Sequence, residues 1–412
     1  MKRRKFVQTV SYTALLPAAL SVKVIDAKAD NTPAGKVVAG NTGPSGAVEM
    51  PAYARKMGIS DMTATGPDGK PQAGFKHHSS KPRKADPKAP YQMPLTQDEQ
   101  AILNGSKGPE LAKIMAIVVA HGNAFGAEKL VDLGGRPHCS LYTGTDYMGP
   151  MIKLFQQCAD AGLKTYAPYT VNPRCYDLYN LNNNEADMKL IYEGYKLQRD
   201  LDWVHAQLGA PDLNYRSCAC YLDEVGNKPP PGTYVAWAES SAVNYGNSAL
   251  GLRTNRNAGG MELCCALIGK APLFGLMTDE GRMSTWLIDV KTSKTPDWGV
   301  LGTAVGLKVV DANPYYAGLA KYFDGEITNE NMHLLKKMGS ASAASGAVGL
   351  YHVEDLTPDA KEKGRDLLAK GYQTYVWDDA EQERVRSTWP TEFPDRPKKP
   401  THVYIGCPHN TY

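Results

Sequence analysis

The order of apolar segments predicts an α/β protein built in layers around a largely parallel sheet. Two observations carry that expectation. Short apolar runs alternate with longer stretches of helical spacing, as parallel strands joined by crossover helices require. Several of the runs end in polar turns, which is where such sheets bind ligands. The 412 residues, 42% hydrophobic and 22% charged, have ordinary globular composition and room for two or three domains. No internal repeat is present, and no apolar stretch is long enough for a stable membrane span.

The chain opens with an address. Lys2-Arg3-Arg4-Lys5-Phe6-Val7 is a twin-arginine pattern, a modestly apolar run from Val10 to Val22 follows, and Ala27-Lys28-Ala29 is a small-x-small cleavage site. Residues 1–29 are therefore expected to be a signal peptide for twin-arginine export, which places the mature protein in the periplasm or another extracytoplasmic space. These residues carry six basic side chains and one acid, so the overall net charge of +3 falls to −2 without them. A near-neutral mature chain offers no electrostatic case for nucleic acid or an acidic membrane surface. Residues 30–93 are rich in turn-formers such as Gly66-Pro67-Asp68-Gly69 and lack periodic apolar positions, which predicts a flexible linker.

The folded portion, 94–412, starts with a helix at Thr96, because Thr96 and Glu99 form a capping box. Pro109 suits the first position of a second helix, which carries Leu111, Ile114, Met115, Val118 and Val119 at helical spacing and ends between Gly122 and Gly126. Glu128 to Leu133 reads as a buried strand, Tyr147 to Gly162 as a helix, and Lys164 to Ala167 as a strand delivering Tyr169 to Pro173. The strand pattern returns in Trp286–Val290 and Gly346–His352, with a tightly packed helix in Gly299–Lys308 between them. Of the eight cysteines, Cys264 and Cys265 lie in an apolar helical run and read as small buried hydrophobes. Cys218 and Cys220 sit in a polar context and remain candidate ligands.

Five polar clusters stand at element ends: His138–Gly144, Tyr169–Asp177, Ser217–Leu222, Tyr234–Gly260 and Gly406–His409. The fourth holds one carboxylate, Glu239, with Ser240, Ser241, Arg253, Asn255 and Arg256, and no Lys or Pro. Small residues around forked cations suit close approach of an anionic group. A helix followed by a polar glycine-rich loop would read equally well.

In this order the clusters resemble the catalytic portion of the aconitase X family, hydro-lyases that include cis-3-hydroxy-L-proline and phosphomevalonate dehydratases. The resemblance rests on Leu141–Gly144, Thr170–Asp177, Cys218–Tyr221, Ala236–Val243, Asn247–Arg256 and Gly406–His409, and spans 94–412. It implies an aconitase-like α/β/α layered catalytic domain with an iron–sulfur cluster or iron bound by Cys218 and Cys407. It also implies that Arg253, Asn255 and Arg256 grip the carboxylate of a small hydroxylated acid, with Asn172, Glu239, Ser240 and Ser241 orienting substrate and leaving hydroxyl. A serine on a small swivelling domain serves as base in such enzymes, so a small subunit is an expected partner. A C-terminal segment carrying a further cysteine, common in relatives, is expected to be missing. A binding protein that keeps the anion pocket without chemistry is the alternative.

Overall fold

The computed structural model describes residues 64–65, 71–72, 91–175, 185–210 and 216–389. The expected signal peptide, most of the linker, Tyr176, Asp177 and the Gly406–His409 turn with Cys407 lie outside them. Inside the expected linker, β1 (Ala64–Thr65) and β2 (Pro71–Gln72) pair antiparallel across the Gly66–Lys70 turn-formers.

The first half of the fold is mostly helical. Helix α1 (Gln97–Leu103) starts at the predicted capping box: Thr96 Oγ1 accepts from the Glu99 amide, and Glu99 Oε2 accepts from the Thr96 amide at 2.9 Å. Helix α2 (Pro109–Phe125) has its proline in the first turn and ends at left-handed Gly126. Then come β3 (Leu130–Asp132), β4 (His138–Cys139), α3 (Gly149–Asp160), β5 (Thr170–Val171), α4 (Glu185–Gly194) and α5 (Gln198–Leu208). After α6 (Ser240–Ser248) and α7 (Met261–Ile268), β6 (Lys270–Pro272) pairs antiparallel with β3. Ile114, Met115 and Val118 of α2, Phe155 of α3, Leu201 and Val204 of α5 and Leu263 of α7 meet in one dry core. Periodicity set which helix faces entered it.

The second half is the parallel sheet. Its elements are β7 (Ser284–Val290), α8 (Trp298–Val309), β8 (Pro314–Ala317), α9 (Met332–Ser345), β9 (His352–Val353), α10 (Pro358–Lys363), β10 (Leu368–Trp377) and α11 (Asp379–Ser387). The four strands run in the order β10-β7-β8-β9, all parallel. Alternation along β7 sends Trp286, Ile288 and Val290 into a core shared with α8 and α9, and Leu287 into a smaller cluster with Ala360 and Leu367 on the other face. Helices thus cover both faces, as the α/β expectation requires.

Two expected strands differ. Lys164–Ala167 is not a strand: Thr165 N–H donates to the Leu208 carbonyl and Tyr166 N–H to that of Ala266, so the segment caps the ends of α5 and α7. Of Gly346–His352 only the last residue belongs to a strand, β9. Among the described residues no helix is long and apolar enough to cross a membrane.

Candidate active site

Four of the five clusters come together in a parallel array of short extended segments between the two cores. Strand β4 pairs in parallel with β5, and isolated parallel bridges join His138 to Trp237, Tyr234 to Arg253 and Ala238 to Asn257. Main-chain bonds run through the set: Asn172 N–H to the Cys139 carbonyl (3.0 Å), Ala238 N–H to that of His138 (3.1 Å), and Ser217 N–H to that of Val171 (3.2 Å). The order is therefore 253–257, 234–238, 138–139, 170–171 and 217. The carboxyl ends bring Glu239, Ser140, Asn172 and Cys218 to one edge. Trp237, fully buried with its indole N–H on the Arg136 carbonyl at 2.9 Å, fixes the middle of the array.

Glu239 ends its segment in an uncommon conformation, φ 89° and ψ 134°, and becomes the N-cap of α6. Its Oε2 accepts from the Ala242 amide (2.8 Å) and Ser241 Oγ (2.6 Å), and its Oε1 from Ser240 Oγ (3.1 Å). Both serine protons are committed to the carboxylate, which leaves the serine oxygens available as acceptors. Among the described residues no Arg or Lys pairs with Glu239. A non-glycine residue held at positive φ costs on the order of 1 kcal/mol or more, and such strain gathers at functional sites.

Deeper in the array, His138 Nδ1 lies 2.9 Å from Thr170 Oγ1, and Asn227 Nδ2 donates to the same oxygen at 3.0 Å. His138 is fully buried, and burial holds its pKa down at about 4 with Asn172 opposing. Cys220, also buried, has its thiol pushed well above the usual range by burial, then by the Glu239 charge. Cys218 is half-buried at the rim, and the buried Lys336 of α9 senses it: burial lowers the amine's pKa, while Cys218 and Glu224 raise it. Beneath Ser140, Glu262 of α7 accepts the Ser140 amide at 2.8 Å, and burial raises its carboxyl to about 6.

The arginine motif lies differently. Arg253, at the amino end of its segment, donates to the Met277 carbonyl at 2.9 Å and pairs with Asp279 at 2.5 Å. Asn255 donates to the Phe274 carbonyl (3.0 Å) and accepts from the Leu276 amide (2.9 Å). Arg256 reaches away to the Ala347 carbonyl and, at 3.8 Å, to Asp311. Of the predicted site residues, the structure brings together Asn172, Cys218, Glu239, Ser240 and Ser241. It does not turn Arg253, Asn255 and Arg256 onto one common point. Cys407 lies outside the described residues.

Asn227, Glu262 and Lys336 were missed by sequence reasoning, and Thr170 entered only as the first residue of the Thr170–Asp177 motif, without a role. Only Glu262 left a signal, a single acid inside the apolar helix Met261–Ile268. Asn227 read as part of a Gly-Asn-Lys-Pro turn, yet it is 1% exposed and ties Thr170 to the Arg136 and Pro137 carbonyls.

As a metal site the described residues are incomplete. No group of three or more His, Cys, Asp or Glu side chains among them could hold an ion. Cys218 has the setting of a ligand, a rim thiol beside a buried ammonium. No disulfide joins the seven described cysteines. The buried thiols of Cys139 and Cys265 are held well above the usual range, first by burial, which makes them inert packing groups.

The chain matches a family model described as aconitase X first domain over residues 92–280 and one described as aconitase X second domain over 284–387. It is 32% identical to the phosphomevalonate dehydratase large subunit of Thermococcus kodakarensis over 320 residues, 77% of this chain and 74% of that protein. It is 29% identical to the cis-3-hydroxy-L-proline dehydratase of Pseudomonas aeruginosa over 316 residues, 76% of this chain and 51% of that longer protein. The solved holo-form of Thermococcus kodakaraensis aconitase X aligns with a TM-score of 0.59 at 30% identity, over 73% of this chain and 70% of that one.

Proposed function

The chain belongs to the aconitase X family, and from that premise we propose a hydro-lyase that eliminates water from a small hydroxylated carboxylic acid at the carboxyl ends of the 138–257 array. The dehydratase names of its relatives support the reaction class. The observation that carries the location is a pair of left-over polar atoms: His138 Nε2 and Asn172 Oδ1 are enclosed in the array without hydrogen-bond partners among the described residues. Native interiors rarely leave such atoms unmatched unless a ligand or water meets them.

The geometry supports the following roles. Asn172 orients the substrate from the floor of the site. Ser240 and Ser241, their protons given to Glu239, accept a hydrogen bond from the substrate hydroxyl and orient its C–O bond without taking its proton. The Glu239 carboxylate polarises the serine pair and caps α6 in one stroke. An iron–sulfur or iron centre on Cys218 and Cys407 would supply Lewis acidity toward the departing oxygen. The described residues do not by themselves complete a ligand set for it. The carboxylate-gripping role expected of Arg253, Asn255 and Arg256 remains a proposal, and each has a main-chain partner that a substrate would have to share.

A small subunit is the proposed partner, because five relatives are named large subunits. Export by the twin-arginine route, from the Lys2–Val7 pattern, is also proposed. It is tested by locating the full chain in cell fractions with and without Arg3-Arg4→Lys-Lys. For the activity, the chain is prepared anaerobically with its small subunit and supplied with 5-phosphomevalonate or cis-3-hydroxy-L-proline. Ultraviolet absorbance from a new carbon–carbon double bond beside the carboxylate, lost in Cys218→Ser, is the expected result. Substrate binding with no turnover by the complete, iron-loaded complex would sink the hydro-lyase reading in favour of a binding protein.

A further inference from the structure

The structure assigns Ser140 as a further substrate-contacting hydroxyl of the site, with Glu262 as the positioning residue that holds it there. The inference deepens the reading above and rests on it only for the class of ligand.

Register carries it. Ala238 N–H donates to the His138 carbonyl at 3.1 Å, and Asn172 N–H to that of Cys139 at 3.0 Å. One step further along each segment sets Ser140 in the middle of the edge row, flanked by Glu239 and Asn172, with neighbouring segments about 5 Å apart. Pro137, His138, Cys139 and Leu141 are buried, and Ser140 alone in that run is half-buried.

Glu262 anchors Ser140 from α7. It is fully buried in that apolar helix, and its Oε1 accepts the Ser140 amide at 2.8 Å and, more weakly, the Ser140 hydroxyl at 3.5 Å. Its Oε2 is enclosed without a partner, so among the described residues Glu262 is hydrogen-bonded to Ser140 alone. Taking a carboxyl out of water for so few donors costs the fold more than it returns, which leaves positioning and not stability as its use. On the other side stands Gly259, just past the 253–257 segment: a Cβ there would lie 3.3 Å from Ser140 Oγ and crowd it. Left-handed Gly260, φ 99°, then turns the chain into α7, where Glu262 is the second residue. The arrangement repeats the one at Glu239, where a single carboxylate oxygen takes one amide and one serine hydroxyl. With its proton toward Glu262, Ser140 Oγ keeps lone pairs for a donor, and the donor a hydroxy-acid offers is its hydroxyl.

The experiment is calorimetric titration of the full chain with L-malate and with succinate, which lacks the hydroxyl. It is run above neutral pH, where Glu262, raised by burial to about 6, is ionised. The wild type is expected to favour L-malate by about fivefold or more. Ser140→Ala should remove that preference with succinate affinity and the denaturation midpoint unchanged. Glu262→Ala should remove it too, while Glu262→Gln, which keeps an oxygen for the Ser140 amide, should restore it to within about twofold. Gly259→Ala should weaken the preference with both partners still in place. A wild type that binds the two acids alike, or binds neither, overturns the inference, as does a Ser140→Ala chain that keeps the preference. A Glu262→Ala chain that loses stability and keeps the preference overturns the positioning role. These readouts need no turnover, so the hydro-lyase reading can fail while this one stands, or the reverse.

Discussion

The two ends of the parallel array are built from the same kinds of residue and do opposite things. At the amino end, Arg253, Asn255 and, just beyond, Arg282 spend their donors on main-chain carbonyls. Arg282 is 1% exposed and donates to the carbonyls of Asn247 (2.9 Å), Leu252 (3.0 Å) and Leu276 (3.1 Å) while pairing with Asp359 at 2.7 Å. At the carboxyl end, Glu239 holds the two serines, while Asn172 Oδ1 and His138 Nε2 are enclosed without partners among the described residues. The difference teaches where to look for chemistry. Arginine and asparagine in a glycine-rich run mark a functional edge only if tertiary contacts leave their polar atoms unspent.

Substitutions can break or sharpen that contrast. The largest effect is expected at the spent end: Arg282→Met should lower stability by about 3–5 kcal/mol, because it strands three buried carbonyls and leaves the partly buried Asp359 without its partner. Chemical denaturation measures it, and turnover per folded molecule should be unchanged. At the unspent end, Glu239→Gln should cut kcat/KM by about 10²-fold or more while the denaturation midpoint moves little, since the amide oxygen still caps α6. Loss of stability without loss of activity would reverse the assignment of the two ends. Arg253→Gln separates the readings directly. As a clamp on Met277 and Asp279 it should cost about 1–2 kcal/mol of stability with KM unchanged. A KM rise of tenfold or more at unchanged stability would restore it as a carboxylate grip.

Acidity gives a smaller, graded effect. Burial holds His138, His205 and His352 at about 4, against an ordinary value of about 6.5, so the unfolded chain takes up protons there first as pH falls. Each contributes a loss of about 1.4 kcal/mol per pH unit between those values. Glu262, raised by burial to about 6, acts in the opposite sense, because the folded state holds its proton when the unfolded one does not. Denaturation between pH 6 and 4.5 should therefore show a net uptake of about two protons from these four groups. The smallest effect is at the strained cap: Glu239→Gly relieves the positive φ but loses the cap, two terms of about 1 kcal/mol each that nearly cancel.

Much of this was legible in the chain, for local reasons. The Thr96 capping box and Pro109 started their helices because such signals act within one turn. The polar clusters were found at element ends because turn chemistry is local as well. Which way each polar side chain points was not legible. Arg253 stands at one end of an extended segment and Asn257 at the other, and register with Tyr234 and Ala238 decides which end is which. Lys164–Ala167 read as a strand because its apolar pattern is short, and it was recruited instead to close two helix ends. Thr170 and Asn227 are ordinary polar residues made important by enclosure, which no spacing encodes.

The array has a further consequence, for the order in which the molecule comes apart. Ala236 belongs to the first core and Val235 and Trp237 to the second, so adjacent residues of one segment root in different cores. Arg282, in the three-residue interval between the two matched family domains, is bonded to residues of both. Neither half can loosen without tearing that shared seam. Although two domains can be named in it, the chain from 91 to 389 is expected to melt as a single cooperative unit, with one calorimetric transition and hydrogen-exchange protection that rises and falls together on both sides.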